Sequence, residues 1–194
     1  SHAISQREVA KVGAQPCGLE LATSEPFGFK ALDLDALPPQ RESFLHCFKH
    51  LLEPRPARVH VPKRRQDIVA RIYANLKRPV TFGAPGQRNL AGSFAVSFSK
   101  ADNKGMILVK DADIRQWPEI LRATIDLVDI AGADVVNLDL PLAQPETTLL
   151  CEHAENAGYF FAGIWPHEAS DSGDLLRLTK LAATIDFARL QFFD

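Results

Sequence analysis

The chain has 194 residues, of which 46% are hydrophobic and 24% charged, and its formal net charge is −2. This is the composition of an ordinary folded protein, and the charge gives no general case for nucleic-acid binding. No apolar run approaches the roughly 20 residues needed to cross a membrane, and no signal peptide is visible. The three cysteines, Cys17, Cys47 and Cys151, are odd in number and far apart. They predict a reducing compartment, with the cytoplasm as the default, and no disulfide framework.

The first ninety residues are predicted to form short elements separated by proline and glycine. These are a helix that ends at Gly13, strands over Cys17–Leu21, Phe29–Leu34, Arg58–Val61 and Pro79–Phe82, and an amphipathic helix over Lys63–Leu76. Arg41–Leu52 fits either a helix face or a strand buried on both sides, and we favour the strand on the resemblance given below. Gly83–Gln87 is the clearest loop. It divides a strand-rich part, residues 1–90, from an α/β domain, residues 91–194.

The second half alternates strands with helices. Its predicted elements are a hairpin of Ser93–Ser99 and Met106–Lys110, a helix over Trp117–Ala131, a strand over Val135–Leu140, a helix from Pro145 to Gly158, and strands over Tyr159–Trp165 and Leu175–Leu181. This order predicts an α/β (α+β) fold with a mixed sheet and flanking helices. We expect Val135–Leu140 and Tyr159–Ile164 to be neighbouring strands.

Two segments near opposite ends of the sequence share one local pattern. The segment from Lys11 to Leu19 has the same form as the segment from Asn156 to Ile164, a helix followed by two glycines at one spacing and an apolar strand. This fits a tandem duplication whose first copy is cut off at the start of the chain. Because the sequence starts with Ser-His and its only methionine is Met106, a tag remnant is one interpretation of the start and a fragment of a longer protein is the one we favour.

The order of elements from Ser93 to Lys180 resembles the GNAT superfamily of acyl-CoA N-acyltransferases. The matching parts are the hairpin, the long helix, the strand, the second helix that ends in the pair Gly158-Tyr159, and the closing strands. They cover half of the chain, and the segment to Gly18 resembles the end of another such unit. The whole is similar to the GNAT-like regions found beside anti-sigma-type ATPase modules in bacterial regulatory proteins.

The resemblance implies transfer of an acyl group from acetyl-CoA, or another acyl-CoA, to an amine. The cofactor would lie in the splay between the strand that ends near Val109 and the strand Val135–Leu140. Backbone groups of Leu108, Val109 and Lys110 would face the thioester, and Gln116 would lie at the start of the long helix. The partner is therefore a small-molecule acyl-CoA or a protein, and the oligomeric state is open.

Two departures from the GNAT pattern concern this site. The Arg/Gln-x-x-Gly-x-Gly/Ala loop, whose N–H groups hold the pyrophosphate at a helix N-terminus, is replaced by Val109–Pro118. That segment has no glycine, its Asp111 and Asp113 would repel phosphate, and Pro118 lacks an N–H. Ala154 stands where many members have a tyrosine general acid. The alternative function is therefore a degenerate GNAT-like sensory or interaction domain of a larger regulatory protein, without chemistry.

Two side chains are candidates for proton transfer in place of the tyrosine. His153 is next to Ala154, although such a residue is also an ordinary half-buried helix histidine. Asp139 lies at the C-terminal end of a predicted strand, where ligand sites of open α/β sheets gather, although it would equally serve as a cap.

Other candidate groups have plainer interpretations. Lys63, Arg64 and Arg65 oppose the dipole of the helix they begin, so they predict either an anion-binding patch or a solvated basic face. No ligand spacing supports a metal site, although histidines and a cysteine gather at His46, Cys47, His50 and His60. The hydrolase Gly-x-Ser-x-Gly motif and the Walker loop are absent from the sequence. The aromatic residues are predicted to be core, with one lining a cleft: Trp117, Phe160, Phe161 and Trp165.

Overall fold

The computed structural model describes residues 3–26, 40–88, 90–169 and 173–190. Its α-helices are α1 (Ala3–Lys11), α2 (Gln66–Asn75), α3 (Trp117–Ile125) and α4 (Thr147–Asn156). Its strands are β1 (Gln15–Ser24), β2 (Glu42–Phe48), β3 (Ala57–Val59), β4 (Val80–Phe82), β5 (Ser93–Ser99), β6 (Lys104–Asp111), β7 (Val135–Pro141), β8 (Phe160–Trp165) and β9 (Leu175–Leu181). The predicted strand Phe29–Leu34 lies outside the described residues. None of the described helices has the length and apolar character needed to span a membrane.

Seven strands form one mixed sheet in the order β2-β1-β8-β9-β7-β6-β5, and β3 and β4 form a separate parallel pair. β6 and β7 are the parallel pair of the large sheet, and α3 crosses between them. The predicted fold class, a mixed sheet with flanking helices, is confirmed. The ambiguous stretch Arg41–Leu52 contains strand β2, so the favoured interpretation is also confirmed. The sheet runs through both halves of the chain, and the division near residue 90 stays a prediction.

The predicted adjacency of Val135–Leu140 and Tyr159–Ile164 is wrong. Strand β9 lies between β7 and β8 and is antiparallel to both. After β7 and α4 the chain forms β8, which lies two positions away from β7 in the sheet. The next strand, β9, lies in the position between them. Hydrophobic period identifies each strand but carries no information on the order of strands in a sheet.

Strand β7 is buried along its whole length and separates two faces of the sheet. Val136, Leu138 and Leu140 belong to the main hydrophobic core, together with Leu150 of α4 and Ile120 of α3. Because alternate side chains point to opposite faces, Asn137 and Asp139 lie on the other side of the sheet. That second face is polar, although it is also buried.

Candidate functional site

The two parallel strands part at the place where the GNAT resemblance puts the cofactor. Pairing of β6 with β7 ends at Leu108 and Asp139, while β6 continues to Asp111 and β7 to Pro141. We call the gap between these strand ends the splay. Leu108 packs on the second face, Val109 is buried in the main core, and the Lys110 carbonyl is directed into the splay.

The side chain of Gln144 fills the splay. Its Nε2 donates to the Lys110 carbonyl at 2.9 Å, and its Oε1 accepts from the Ala112 N–H at 2.6 Å. A primary amide has both a donor and an acceptor, so one side chain satisfies both strand groups. The last carbonyl but one of β6 and the first N–H after β6 are therefore both bonded to the Gln144 amide.

Neighbouring charges hold Gln144 in place. Arg88 Nη2 donates to Gln144 Oε1 at 2.7 Å, and the Arg88 guanidinium and backbone N–H also bond the Glu146 carboxylate. Glu146 is completely buried at the N-terminus of α4. A buried carboxylate needs such a cation and N–H donors, because its desolvation is costly. The ion pair therefore fixes both the loop that carries Arg88 and the turn that carries Gln144.

The helix N-terminus that would hold a pyrophosphate already has a carboxylate. Asp113 caps the turn before α3 and accepts from both the N–H and the guanidinium of Arg115, at 3.0 and 2.9 Å. These hydrogen bonds hold the pKa of Asp113 below its usual range. Gln116, predicted to contact the cofactor, is packed against Gly92, and its Oε1 has no hydrogen-bond partner in the described part of the chain. The Asp113 carboxylate therefore occupies the Arg115 N–H in the turn that leads into α3.

Asp139, the proposed base, is one half of a buried ion pair on the second face. Arg177 of β9 donates from Nε and Nη2 to its two oxygens, at 2.7 and 2.6 Å, and also bonds Glu20 of β1. Burial raises the pKa of Asp139, and the hydrogen bonds from Arg177 oppose that rise. Both oxygens of Asp139 accept a hydrogen bond from Arg177, and its role as a base stays a prediction.

Aromatic rings complete this cluster. The Arg177 guanidinium carbon lies 4.0 Å from the centre of the Trp165 ring, and the His46 ring stacks on the same indole at 4.8 Å. Burial lowers the pKa of His46 below its usual range, which favours the neutral ring. Trp165 is buried, as the core interpretation predicts. Cations over an indole face are stabilised by its quadrupole.

His153, the other candidate for proton transfer, is exposed on α4 and contacts the Trp117 ring at 5.8 Å between centroids. It lies six residues after the first residue of the helix, roughly 9 Å along the axis from the end that carries the splay. His153 therefore lies against the first residue of α3, and its role in proton transfer stays a prediction. The buried thiols are no substitute, since burial raises the pKa of Cys17 and Cys151 to about 12.

Two residues of the predicted anion-binding patch have carboxylate partners within the chain. Arg64 and Arg65 both bond Glu155 of α4, and the Arg65 Nε–Oε1 distance is 2.5 Å. The Glu155 side chain is 9% exposed. Lys63 is exposed, and no ion pair is seen for it among the described residues. The pairs join the turn before α2 to α4, and binding of an external anion stays a prediction.

Replacing both arginines, Arg64→Gln with Arg65→Gln, is expected to lower the free energy of unfolding by about 1–2 kcal/mol, because Glu155 would keep a largely buried charge without a cation. Urea denaturation at low and high salt measures this, and the loss should be smaller at high salt. Lys63→Gln is the matched control and should change stability by less than about 0.5 kcal/mol. An unchanged stability in the double variant would contradict the structural role.

The sequence alone did not reveal Gln144, Arg88 or Arg177. The one signal for Arg177 is a lone cation among the leucines of an apolar strand. Among the described residues, no three metal-binding side chains cluster together, and this includes the histidines near β2.

Three solved structures of N-acetyltransferases align with parts of this chain. They are spermidine N-acetyltransferase from Vibrio cholerae (19% identity, 48% of this chain and 58% of that chain, TM-score 0.37), nourseothricin acetyltransferase (16%, 48% and 59%, 0.37), and the NatC complex bound to Gag peptide and CoA (15%, 50% and 65%, 0.37). The alignments thus span less than two thirds of each of those chains. No family model and no curated protein matches the sequence.

The elements themselves decide the fold. From β5 to β9 the chain has the hairpin, the parallel crossover through α3, the splay, α4 with Gly158-Tyr159 at its end, and the closing strands. The fold is GNAT-like. At the splay of this chain Gln144 bonds Lys110 and Ala112, and in the turn before α3 the Asp113 carboxylate bonds Arg115.

Proposed function

We propose that this chain is a GNAT-like interaction domain that transfers no acyl group, of the kind that serves in a larger bacterial regulatory protein. The observation that carries the proposal is the pair of hydrogen bonds from Gln144 to Lys110 and Ala112. They replace the contacts of an acyl-CoA arm, so a cofactor would have to break them and the linked Arg88–Glu146 pair before it could enter. One of these hydrogen bonds is exposed and the other partly buried, and the loss of each costs about 0.5–1.5 kcal/mol.

The missing proton-transfer geometry supports the same proposal. Asp139 bonds Arg177 through both oxygens, and His153 is an exposed residue of α4. A general base must reach the proton that it removes within hydrogen-bond distance. We take the engagement of both Asp139 oxygens by Arg177 as support for a domain without proton-transfer chemistry.

Binding of an acyl-CoA is the second candidate, because the strands do part at Leu108 and Asp139 as the resemblance implies. In that case Gln144 would act as a displaceable plug. The two proposals differ in what the unaltered protein does with acetyl-CoA, since a plug that is displaced readily allows binding.

Calorimetry and thermal shift with millimolar acetyl-CoA, and with a long-chain acyl-CoA, test the proposal. The unaltered chain is expected to show no heat and no shift. Gln144→Ala removes both hydrogen bonds and is expected to lower stability by about 1–2 kcal/mol, without generating acyltransferase activity. Gln87→Ala, an exposed glutamine of the neighbouring loop, is the matched control. Saturable binding to the unaltered chain would overturn the proposal and establish the second candidate.

A further inference from the structure

Two segments of the chain have the same local structure. The first is α1, β1 and β2, and the second is α4, β8 and β9. Both helices end at a glycine with positive φ, +79° at Gly13 and +90° at Gly158. In both, the glycine N–H donates to the carbonyl of the residue three positions earlier. The N–H of the next residue donates to the carbonyl five positions earlier, which is that of Val9 in the first segment and that of Ala154 in the second.

The strand pairs also match in register. Gly18 of β1 lies opposite His46 of β2, and Gly163 of β8 lies opposite Arg177 of β9. In each strand pair the register shifts at the residue just before the glycine. The two β-bulges therefore lie at matching positions of the two segments. Bulges are positioned features of a sheet and do not recur at the same place by strand propensity alone.

A lysine contact repeats between the segments. Lys49, just after β2, donates to the Val12 carbonyl at the end of α1 at 2.8 Å. Lys180 of β9 donates to the Ala157 carbonyl at the end of α4 at 2.6 Å. Both contacts satisfy a carbonyl at a helix C-terminus. β1 and β8 are antiparallel and meet at Gly18 and Gly163, so an approximate two-fold axis passes between these residues.

The two segments differ in what covers them. Ala154 of α4 is completely buried, and the N–H groups of Ala182 and Ala183 after β9 donate to the Asp134 carbonyl, at the junction of α3 and β7. Val9, which matches Ala154, is 36% exposed, and three further apolar side chains of the first segment are 63%, 88% and 85% exposed: Val12, Leu51 and Leu52. We call these four residues the N-terminal apolar face.

We propose that α1, β1 and β2 are the closing part of a second GNAT-like unit, and that the N-terminal apolar face is the docking surface for the opening part of that unit. The occupant is a strand–helix–strand segment of the same polypeptide, with the pattern of Lys104–Pro141. A second copy of this chain is not the occupant, because its own Lys104–Pro141 segment is already packed in its main core. Lys49 connects the chain just before Leu51 to the Val12 carbonyl, and a contiguous exposed apolar surface marks an interaction site.

Hydrogen exchange tests the proposal, with the 194-residue chain compared with the longer polypeptide that the native reading frame encodes upstream. In the longer polypeptide, amide exchange in the last turn of α1 is expected to be slower by about tenfold or more, because the helix is then covered. Val12→Glu should abolish that slowing and should leave exchange in the 194-residue chain unchanged. Ile130→Glu, at a residue 80% exposed on another surface, is the matched control and should change neither polypeptide.

Three results would overturn the proposal. One is a native reading frame with no strand–helix–strand segment upstream of this sequence. The second is equal exchange of α1 in the two polypeptides. The third is an effect of Ile130→Glu as large as that of Val12→Glu, since the slowing would then not depend on the N-terminal apolar face.

Discussion

Replacing Arg177 by methionine is expected to lower the free energy of unfolding by about 3–5 kcal/mol. The variant leaves the Asp139 carboxylate, 4% exposed, without the cation that bonds both of its oxygens. Removal of one partner of a buried pair costs this much because the remaining charge is desolvated and uncompensated. Glu20 loses its bond to Arg177 as well. Urea denaturation at pH 7 is the measurement.

The pH dependence of this loss identifies its cause. Burial raises the pKa of Asp139, and without Arg177 nothing opposes that rise. A carboxyl whose pKa is higher in the folded than in the unfolded state favours folding at low pH, and that stability is lost as the pH rises through the folded pKa. The cost of Arg177→Met should therefore be smaller at pH 5 than at pH 7.

Two further variants complete the design. Lys11→Met removes one partner of an exposed pair, Lys11 with Glu8, whose side chains are 70% and 63% exposed. It is expected to cost less than about 1 kcal/mol at either pH. Arg177→Lys keeps the cation but loses the bidentate geometry, so its loss should lie between the two. An equal cost of Arg177→Met at pH 5 and pH 7 would contradict the assignment of the loss to Asp139.

The sequence predicts the elements of the second half well because their periods are long and uninterrupted. Val135–Leu140 reads as a buried strand and Gly158 as a helix end, and both lie where the pattern puts them. The position of β9 between β7 and β8 is set by pairing partners that are distant in sequence. The local hydrophobic pattern contains no information on such pairing. The individual elements were therefore predicted correctly, but the adjacency of β7 and β8 was not.

The candidate site shows the same division between local and long-range information. Asp139 is placed at a strand end by pattern, but its partner Arg177 is 38 residues away along the chain. Gln144 reads as one polar residue in a loop before Pro145. Its role depends on two strands that part, which only the folded sheet reveals. The lack of a glycine-rich loop before α3 is visible in the sequence, whereas the hydrogen bonds of Gln144 across the splay are not.

Gly163 occupies the point where the sheet passes from β8 to β1, and Gly163→Ala is expected to cost about 3–4 kcal/mol. Its φ is +140°, and a Cβ at this position would overlap Gly18 Cα and lie 2.5 Å from the Cys17 carbonyl oxygen. The left-handed conformation costs an alanine about 1–2 kcal/mol, and the overlap adds about 1–3 kcal/mol of overpacking. Gly18 Cα and the Cys17 carbonyl oxygen both belong to the backbone of β1, so a change of side-chain rotamer cannot relieve the overlap.

Gly132→Ala separates the two contributions. Gly132 also has a positive φ, +76°, but no heavy atom lies within 4 Å of the position of its Cβ. This control carries the conformational cost alone and should lose about 1–2 kcal/mol. Denaturation of both variants gives the difference, and hydrogen exchange shows where it arises. Because Gly18 and Gly163 are the registered pair between β1 and β8, Gly163→Ala should speed exchange in β1 and β2 more than in β6 and β7. Equal losses in the two variants would show that backbone conformation, and not the close approach of the two strands, makes glycine necessary at this crossing.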